Sequence, residues 1–282
     1  MNAIELEKRL ASCESLPALP LALQKVLKLL NDPNSTMAQI ASVIATDQAL
    51  ASKTIKLVNS AFYGMTRPIS SITQAIVILG LNTLSHLMLG LSVAKMFPQG
   101  KHPFDLAVFW QHSFGVALIA KGIAEALRYE QPEECFIGGL MHDIGRLVLQ
   151  QNFYDDYMRV IAMAKRKQCT LLEAEIAVFG ADHSYAGGFI AEKWKIPPVL
   201  FTAIKYHHSL HTIPPELGSN TTVARIVAEA NTIAGNEKIG DQVTAHSPLV
   251  LPHEISQQTL DKIVIQAKST IEATIRQWQM DG

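Results

Sequence analysis

The sequence predicts an all-α protein, because three kinds of observation agree. Apolar residues recur at helical spacing, and polar capping residues and Gly or Pro stops bound these segments repeatedly along the 282 residues. No stretch alternates β-branched and polar residues as a half-buried strand does. A hydrophobic fraction of 48% and a charged fraction of 17% are typical of a chain that folds around its own core.

Short signals delimit the predicted helices of the N-terminal part. Pro20 precedes an apolar helical segment at 21–30, which the run Asn31-Asp32-Pro33-Asn34 ends. Asp47 is placed to cap a helix that runs to about Asn59, and a surface cluster at 59–64 follows it. That cluster is either a binding loop or a capped helix end. Three other helix starts have the spacing of a capping box: Thr36 with Gln39, Ser71 with Gln74, and Thr170 with Glu173.

An apolar stretch at 75–97 is long enough to suggest a membrane span. It contains the polar residues Asn82 and His86 near its middle, and Gly80 is a typical helix stop. We therefore expect two buried helices joined at Gly80 rather than a span. The N-terminus is acidic and amphipathic, unlike a signal peptide, so no membrane partner is expected.

A polar stretch rich in Gly and Pro at 98–103 predicts a boundary between two helical subdomains, 1–98 and 99–282. The segment 240–253 has little periodicity and is predicted to be a loop. Longer helices are predicted in the second subdomain at 104–128, 133–150, 152–167, 171–179, 183–194, 198–208, 221–235 and 257–279.

Charge and cysteine content exclude some classes of partner and compartment. The 24 Lys and Arg residues against 25 Asp and Glu give a net charge of −1, which offers no basic field for a polyanion. Nucleic-acid binding is therefore not expected. The three cysteines have no C-x-x-C spacing and fit a reducing cytoplasm better than a disulfide framework.

Histidines in the helical patterns of the second half form the main candidate site. They are His112, His142, His183, His207 and His208, and Asp143 follows His142 directly. Adjacent residues on a helix point about 100° apart, so His142 and Asp143 can approach one ion if it lies close to the axis, near a helix end or against a neighbouring helix. Imidazoles and carboxylates from several helices commonly hold Zn, Fe or Mn. The alternative is that each histidine is a hydrogen-bonded core or helix-end residue.

Several motifs carry a resemblance to a known family. They are Leu16-Pro17-Ala18-Leu19-Pro20, Val58-Asn59-Ser60-Ala61-Phe62-Tyr63-Gly64, the segment 74–82, the segment 136–145 and Trp194-Lys195-Ile196-Pro197. Together they resemble the HDOD family, the HD-related output domain of bacterial signalling proteins, over about residues 14–235. The order of the five histidines and Asp143 is also similar to the metal-ligand order of the HD superfamily of phosphohydrolases. The resemblance implies a multi-helix HD-like bundle with an N-terminal helical subdomain, working in the bacterial cytoplasm, with these six residues as metal ligands.

One departure from the HD pattern concerns metal binding. Active members of the superfamily have an aspartate in a late Ala-Asp pair, whereas this chain has Asn231 after Ala230. An asparagine oxygen is neutral, so one divalent ion with Asp143 as the charged ligand leaves a charge of +1 and two ions leave +3. We therefore expect no more than one ion, which is Fe, Mn, Zn or Ni. Glu229 lies two residues from Asn231 and is expected to face away from it.

A second departure concerns substrate. The loop after His208 has no Gly-Tyr-Pro element of the kind found in cyclic-dinucleotide phosphodiesterases, so hydrolysis of cyclic dimeric GMP is not expected. Arg146 stands where active relatives often have Lys, and it retains a positive charge for phosphate. The alternative is that Arg146 is an ordinary cation on a helix surface.

Two functions follow as hypotheses. The first is a stand-alone signal-transduction module that binds a signalling protein or a small phosphorylated ligand, since no receiver, sensor or cyclase segment accompanies the domain. The second is a metal-dependent phosphohydrolase acting on a nucleotide or other phosphoester, with Asp143 and Arg146 in catalytic roles.

Overall fold

The computed structural model describes residues 2–13, 16–30, 32, 34–59, 67–97, 104–240 and 255–280. In these ranges the chain forms α-helices and two short 3-10 helices and no strand, which confirms the all-α prediction. The predicted cluster at 60–64 and nearly all of the predicted loop at 240–253 lie outside the described residues.

The described residues form fifteen α-helices, most of them joined by short connections. They are α1 (Ala3–Ala11), α2 (Leu21–Leu30), α3 (Met37–Thr46), α4 (Gln48–Val58), α5 (Ile72–Leu79), α6 (Leu81–Met96), α7 (Leu106–Ala126), α8 (Pro132–Met141), α9 (Ile144–Asn152), α10 (Tyr154–Lys167), α11 (Leu171–Phe179), α12 (His183–Lys193), α13 (Pro198–Tyr206), α14 (Thr221–Asn236) and α15 (Gln257–Met280). The two 3-10 helices, Leu210–Thr212 and Pro215–Asn220, connect α13 to α14.

Packing divides the chain into two compact units. The small unit consists of Pro17–Pro98 and Trp194–Pro197 and contains α2 to α6. The large unit consists of Met1–Leu16, Gln99–Lys193 and Pro198–Gly282 and contains all the other helices. All the histidines of the candidate site lie in the large unit.

The first sixteen residues, which the sequence analysis assigned to the N-terminal subdomain, lie in the large unit instead. Helix α1 packs on α12 and buries Leu6 and Leu10 completely. Arg9 on the same helix forms an ion pair with Asp156 at 3.4 Å and lies over the ring of Phe153, 4.4 Å from its centroid. Apolar burial and these long-range contacts hold the first sixteen residues in the large unit. Neither is visible as a local signal in the sequence, so the predicted boundary did not include them there.

Two of the three predicted capping boxes and the predicted break in the apolar stretch are present, and Ser71 caps α5 by accepting from the Gln74 N–H without the reciprocal contact. Thr36 and Thr170 each begin a helix through a reciprocal capping box, with Gln39 and Glu173 respectively. Gly80 separates α5 from α6 with φ at +83°, a left-handed region that costs other residues energy. The stretch that suggested a membrane span is therefore two helices.

Asn59 has a structural role at the end of α4. Its side-chain amide donates to the Ile69 carbonyl at 2.7 Å, and its oxygen accepts from the Ile69 N–H at 2.7 Å. This reciprocal pair joins the two ends of the segment between residues 59 and 69. It supports the helix-end interpretation of Asn59.

Helix α7 runs through the core of the large unit. Among the described residues it is the single continuous helix long and apolar enough to cross a membrane, but 56% of its most apolar window is already buried. It packs against α8, α14 and α15, and its Val116, Ile119 and Ile123 belong to a large cluster of buried apolar residues. Its composition therefore reflects a core position.

Acidification is expected to destabilise the protein partly through His86 on α6. The side chain is buried, and burial lowers the pKa of His86 from 6.5 to about 4. Between these values the unfolded chain binds a proton that the folded chain does not, so stability is retained above pH 6.5 and lost as the pH falls to about 4. The expected loss is about 3 kcal/mol of unfolding free energy.

Urea denaturation at a series of pH values measures this effect. His86→Gln removes the titrating group, so its unfolding free energy should vary less between pH 7 and pH 4 than that of the wild type. The control is His211→Gln at an exposed position, which should keep the wild-type pH dependence. Parallel curves for the wild type and His86→Gln would contradict the prediction.

Candidate metal centre

A break between α8 and α9 positions the pair His142-Asp143. The sequence predicted one helix over 133–150, but α8 ends at Met141 and α9 begins at Ile144. Asp143 has φ −93° and ψ 8°, which lies outside the α-helical region. As a result His142 Nε2 and Asp143 Oδ1 are only 3.3 Å apart, so the two neighbouring side chains reach the same point.

Asp143 is the centre of the cluster and is 2% exposed. Its Oδ1 lies 3.0 Å from Nε2 of His183, 3.3 Å from Nε2 of His142 and 3.7 Å from Nε2 of His207. Its Oδ2 accepts a hydrogen bond from Arg146 at 3.1 Å. One carboxylate from the break between α8 and α9 thus meets imidazoles from two other parts of the large unit.

Backbone carbonyls fix the orientation of two of these rings. Nδ1 of His142 donates to the Gly139 carbonyl at 2.7 Å, and Nδ1 of His207 donates to the Ile204 carbonyl at 2.9 Å. Each Nε2 therefore carries the lone pair and is aimed at Asp143. Both Nε2 atoms are buried without a hydrogen-bond partner in the described structure. A buried lone pair without a donor is unfavourable, and these two atoms fit a cation.

The possible ligands form two groups that share Asp143. In each group the ligand atoms all lie within 4.8 Å of one another. The outer group is Asp143, His183, His207 and His208, and all four line a cavity of about 340 Å³. The inner group is His112, His142 and Asp143, and all three of these residues are buried. All six histidine and aspartate positions indicated by the resemblance therefore come together.

Asn231 lies beside the inner group. His112 Nδ1 donates to the Ile239 carbonyl at 3.0 Å, so His112 Nε2 presents its lone pair to Asn231 Oδ1, also at 3.0 Å. Two acceptors at this separation repel each other. The pair requires a cation between them or a rotated amide that turns its NH₂ group toward the ring.

Burial and charge set the protonation of the cluster. Burial lowers the pKa of His142 to about 3, and burial together with His207 and His183 lowers the pKa of His208. Burial alone raises the pKa of Asp143, but the imidazoles of His142 and His183 outweigh it and hold this pKa well below its usual value. Burial likewise opposes a charge on His183, but the carboxylates of Glu175 and Asp143 raise its pKa. The cluster thus holds an ionised Asp143 with His142 and His208 in their neutral forms, whereas His183 favours its charged form.

Arg146 is not the surface cation that the sequence analysis gave as an alternative, because it is 1% exposed. Its guanidinium lies over the rings of Phe104 and Phe109, at 5.0 and 5.6 Å from their centroids, and pairs with Asp143. Burying a guanidinium requires such partners. Arg146 also lines the cavity, and contact with phosphate stays a prediction.

Sequence reasoning missed one acidic residue of the site, Glu175, and misplaced another, Glu229. Glu175 on α11 is completely buried and accepts from His183 Nδ1 at 2.6 Å. Its position on the buried stripe of α11, with Leu171, Ala174 and Phe179, is a sequence signal for a buried acid. Glu229 was expected to face away from Asn231, but both line the cavity, which extends along α14, and burial raises the pKa of Glu229.

Comparison with solved structures identifies similar folds. An HDOD domain protein of unknown function from Geobacter sulfurreducens superposes with a TM-score of 0.74 at 24% identity, covering 98% of this chain and 95% of that one. A protein described as a candidate phosphohydrolase from Shewanella amazonensis has a TM-score of 0.69 at 26% identity, covering 93% of this chain and 88% of that one.

Sequence comparison gives a family and a longer relative. An uncharacterized protein of Treponema pallidum is 22% identical over 204 residues, which are 72% of this chain and 39% of that protein. The chain therefore spans about two fifths of the curated relative that it matches. The model of the HDOD domain matches residues 16–210, which is more than half of the chain. The match, the all-helical fold and the assembled histidines agree, and the chain belongs to the HDOD domain family.

Proposed function

We propose that this protein is a bacterial signal-transduction module that holds one divalent metal ion and binds a small phosphorylated ligand or a signalling protein at the metal-lined cavity. The observation that carries the proposal is the pair of buried, unpartnered Nε2 atoms of His142 and His207 facing the ionised Asp143. The three unpaired thiols support action in the cytoplasm.

The outer group is the better site for the ion. It offers three imidazoles and the Asp143 carboxylate at the edge of the cavity, whereas the inner group has the neutral Asn231 where a second charge would be needed. Nitrogen-rich sets of this kind suit Zn, Fe, Mn or Ni. With Asp143 as the charged ligand, a divalent ion at this site keeps a charge of +1, which favours an anionic ligand.

The chain's own residues define the ligand. A cavity of about 340 Å³ lies at the small end of ligand pockets and suits a compact phosphoester better than a cyclic dinucleotide. Leu171, Leu172 and Leu210 give it an apolar side, and Glu229 gives it an acceptor for a hydroxyl or amino group. When bound, the ion supplies Lewis-acid polarisation of a phosphoryl oxygen.

The second candidate function is a metal-dependent phosphohydrolase. It is supported by the direct opening of the outer group into the cavity and by the 26% identical Shewanella protein described as a candidate phosphohydrolase. In that function Asp143 holds the ion and Arg146, which borders the cavity, stabilises charge on phosphate. Cyclic dimeric GMP is not the expected substrate.

Metal content and turnover separate the two functions. We expect untreated protein to contain at most one ion per chain, to bind inorganic phosphate or a phosphoester when loaded with Mn²⁺, and to show marginal turnover on a broad phosphoester panel. Tight stoichiometric metal with rapid turnover would replace the signalling proposal by the phosphohydrolase. Absence of any binding of Mn²⁺ and Zn²⁺ would contradict both.

Asn231→Asp is expected to tighten metal binding tenfold to a hundredfold. The variant adds a negative charge at almost unchanged volume, 3.0 Å from Nε2 of His112 in the inner group. One nearby opposite charge on a buried group contributes about 1–3 kcal/mol. Calorimetric titration with Mn²⁺ and Zn²⁺ measures the change, with Asn220→Asp at the start of α14 as a control that adds the same charge away from the site. Equal affinities of the wild type and Asn231→Asp would show that Asn231 does not act on the ion.

A further inference from the structure

Five buried side chains form a closed ring of polar contacts that includes two members of the outer group, Asp143 and His183. They are Asp143, Arg146, Tyr157, Glu175 and His183, and each is at most 4% exposed. Asp143 pairs with Arg146 at 3.1 Å, Arg146 with Tyr157, Tyr157 with Glu175 at 3.0 Å, and Glu175 with His183 at 2.6 Å. His183 Nε2 closes the ring 3.0 Å from Asp143 Oδ1.

Glu175 holds His183 in two places. Its Oε2 accepts from both Nδ1 and the backbone N–H of His183, at 2.6 and 2.9 Å, while its Oε1 accepts from the Tyr157 hydroxyl. Because Nδ1 donates to Glu175, the His183 imidazole presents Nε2 to Asp143 and His208. Glu175 itself belongs to neither ligand group, and the ligand residue that it contacts directly is His183.

The five-residue ring of contacts also balances the charge around the ligands. The negative charge of Glu175 and the positive charge of Arg146 cancel. The net charge beside the ligands is therefore that of Asp143 alone. Without the Glu175 carboxylate, the positive charge of the buried Arg146 guanidinium is no longer balanced. It would repel a metal ion and so oppose metal binding.

We infer that Glu175, held by Tyr157, is a positioning residue that fixes the His183 imidazole with Nε2 aimed at the metal position. The inference rests on the metal-binding function proposed above. It assigns part of the metal affinity to α10 and α11, which carry Tyr157 and Glu175 and supply no ligand. Carboxylates that accept from a ligating histidine typically change metal affinity tenfold to a hundredfold when they are replaced.

Calorimetric titration with Zn²⁺ tests the affinity. Glu175→Gln is expected to bind tenfold to a hundredfold more weakly than the wild type, and Tyr157→Phe a few-fold more weakly. Glu173→Gln, an exposed change on the same helix that retains a capping-box side chain, is expected to bind as the wild type does. Equal affinities of the wild type and Glu175→Gln would overturn the inference.

Imidazole ¹⁵N NMR gives a measurement that does not depend on metal binding. The wild type is expected to show a hydrogen-bonded, slowly exchanging proton on Nδ1 of His183 in both the metal-free and the Zn²⁺-loaded protein, and Tyr157→Phe should weaken its protection. An exposed or absent Nδ1 proton in the wild type would overturn the inference even if Glu175→Gln failed to fold. A protected Nδ1 proton in a wild type that binds no Zn²⁺ would refute the proposed function and leave the orientation of His183 by Glu175 supported.

Discussion

Asp143→Asn is expected to lower the affinity for Mn²⁺ and Zn²⁺ at least a hundredfold. Asp143 is the carboxylate shared by both ligand groups, and it is buried at 2% exposure among their imidazoles. The substitution retains shape and one oxygen but removes the charge that opposes the ion in a low-dielectric setting. Calorimetric titration and the metal content of the dialysed protein both measure the loss.

The control for Asp143→Asn is Asp182→Asn. Asp182 caps the start of α12 by accepting from the N–H of Tyr185 at 3.1 Å, a contact that asparagine also makes, and it belongs to neither ligand group. Because Asp143→Asn weakens the charged partner of the buried Arg146, the thermal midpoint of each metal-free variant is measured as well. Unchanged metal content in a folded Asp143→Asn protein would refute the metal centre.

Gly145→Ala is expected to destabilise the protein by at least about 3 kcal/mol. A Cβ at this position would lie 1.8 Å from the carbonyl oxygen of His183 and 2.6 Å from the N–H nitrogen of Gly187, so the backbones of α9 and α12 have to separate. In a helix without such a contact, the change from Gly to Ala stabilises by about 1 kcal/mol. The sign of the change in unfolding free energy therefore shows whether α9 and α12 approach each other closely at Gly145.

Urea denaturation of Gly145→Ala and of Gly218→Ala makes the comparison. A Cβ on Gly218 meets nothing within 4 Å, so that variant is expected to be neutral or slightly stabilised. Stabilisation of both variants would mean that α9 and α12 do not meet at Gly145. Metal affinity should also fall in Gly145→Ala, because separation of α9 from α12 displaces His183 from Asp143.

Local signals were sufficient to predict much of the helical fold. The side chains of Thr36 and Thr170 mark helix starts through contacts only three residues long, and Gly80 marks a stop through its own backbone freedom. The break at His142-Asp143 has no comparable signal. Tertiary contacts accompany it, since Gly139 lies against the backbone of Ala117 and Gly145 against α12.

The candidate site was predicted by resemblance for its ligand-type residues but not for its supporting ones. His112 and Asn231 are 119 residues apart in sequence, and no periodicity relates two such positions before the fold is known. Glu175 was missed because its place in the apolar stripe of α11 indicates burial but does not name its partner. That partner, His183, is eight residues away on another helix.

The location of the ligand positions in one unit has a consequence for how the protein unfolds. All of them lie in the large unit, where an ion would act as a cross-link between helices that are far apart in the sequence. A ligand that binds only the folded state adds about 2.7 kcal/mol at a hundredfold excess over Kd, and this gain would go to the large unit alone. The supply of metal in the cell would then decide which of the two units unfolds first, and so which of them is exposed to chaperones and proteases.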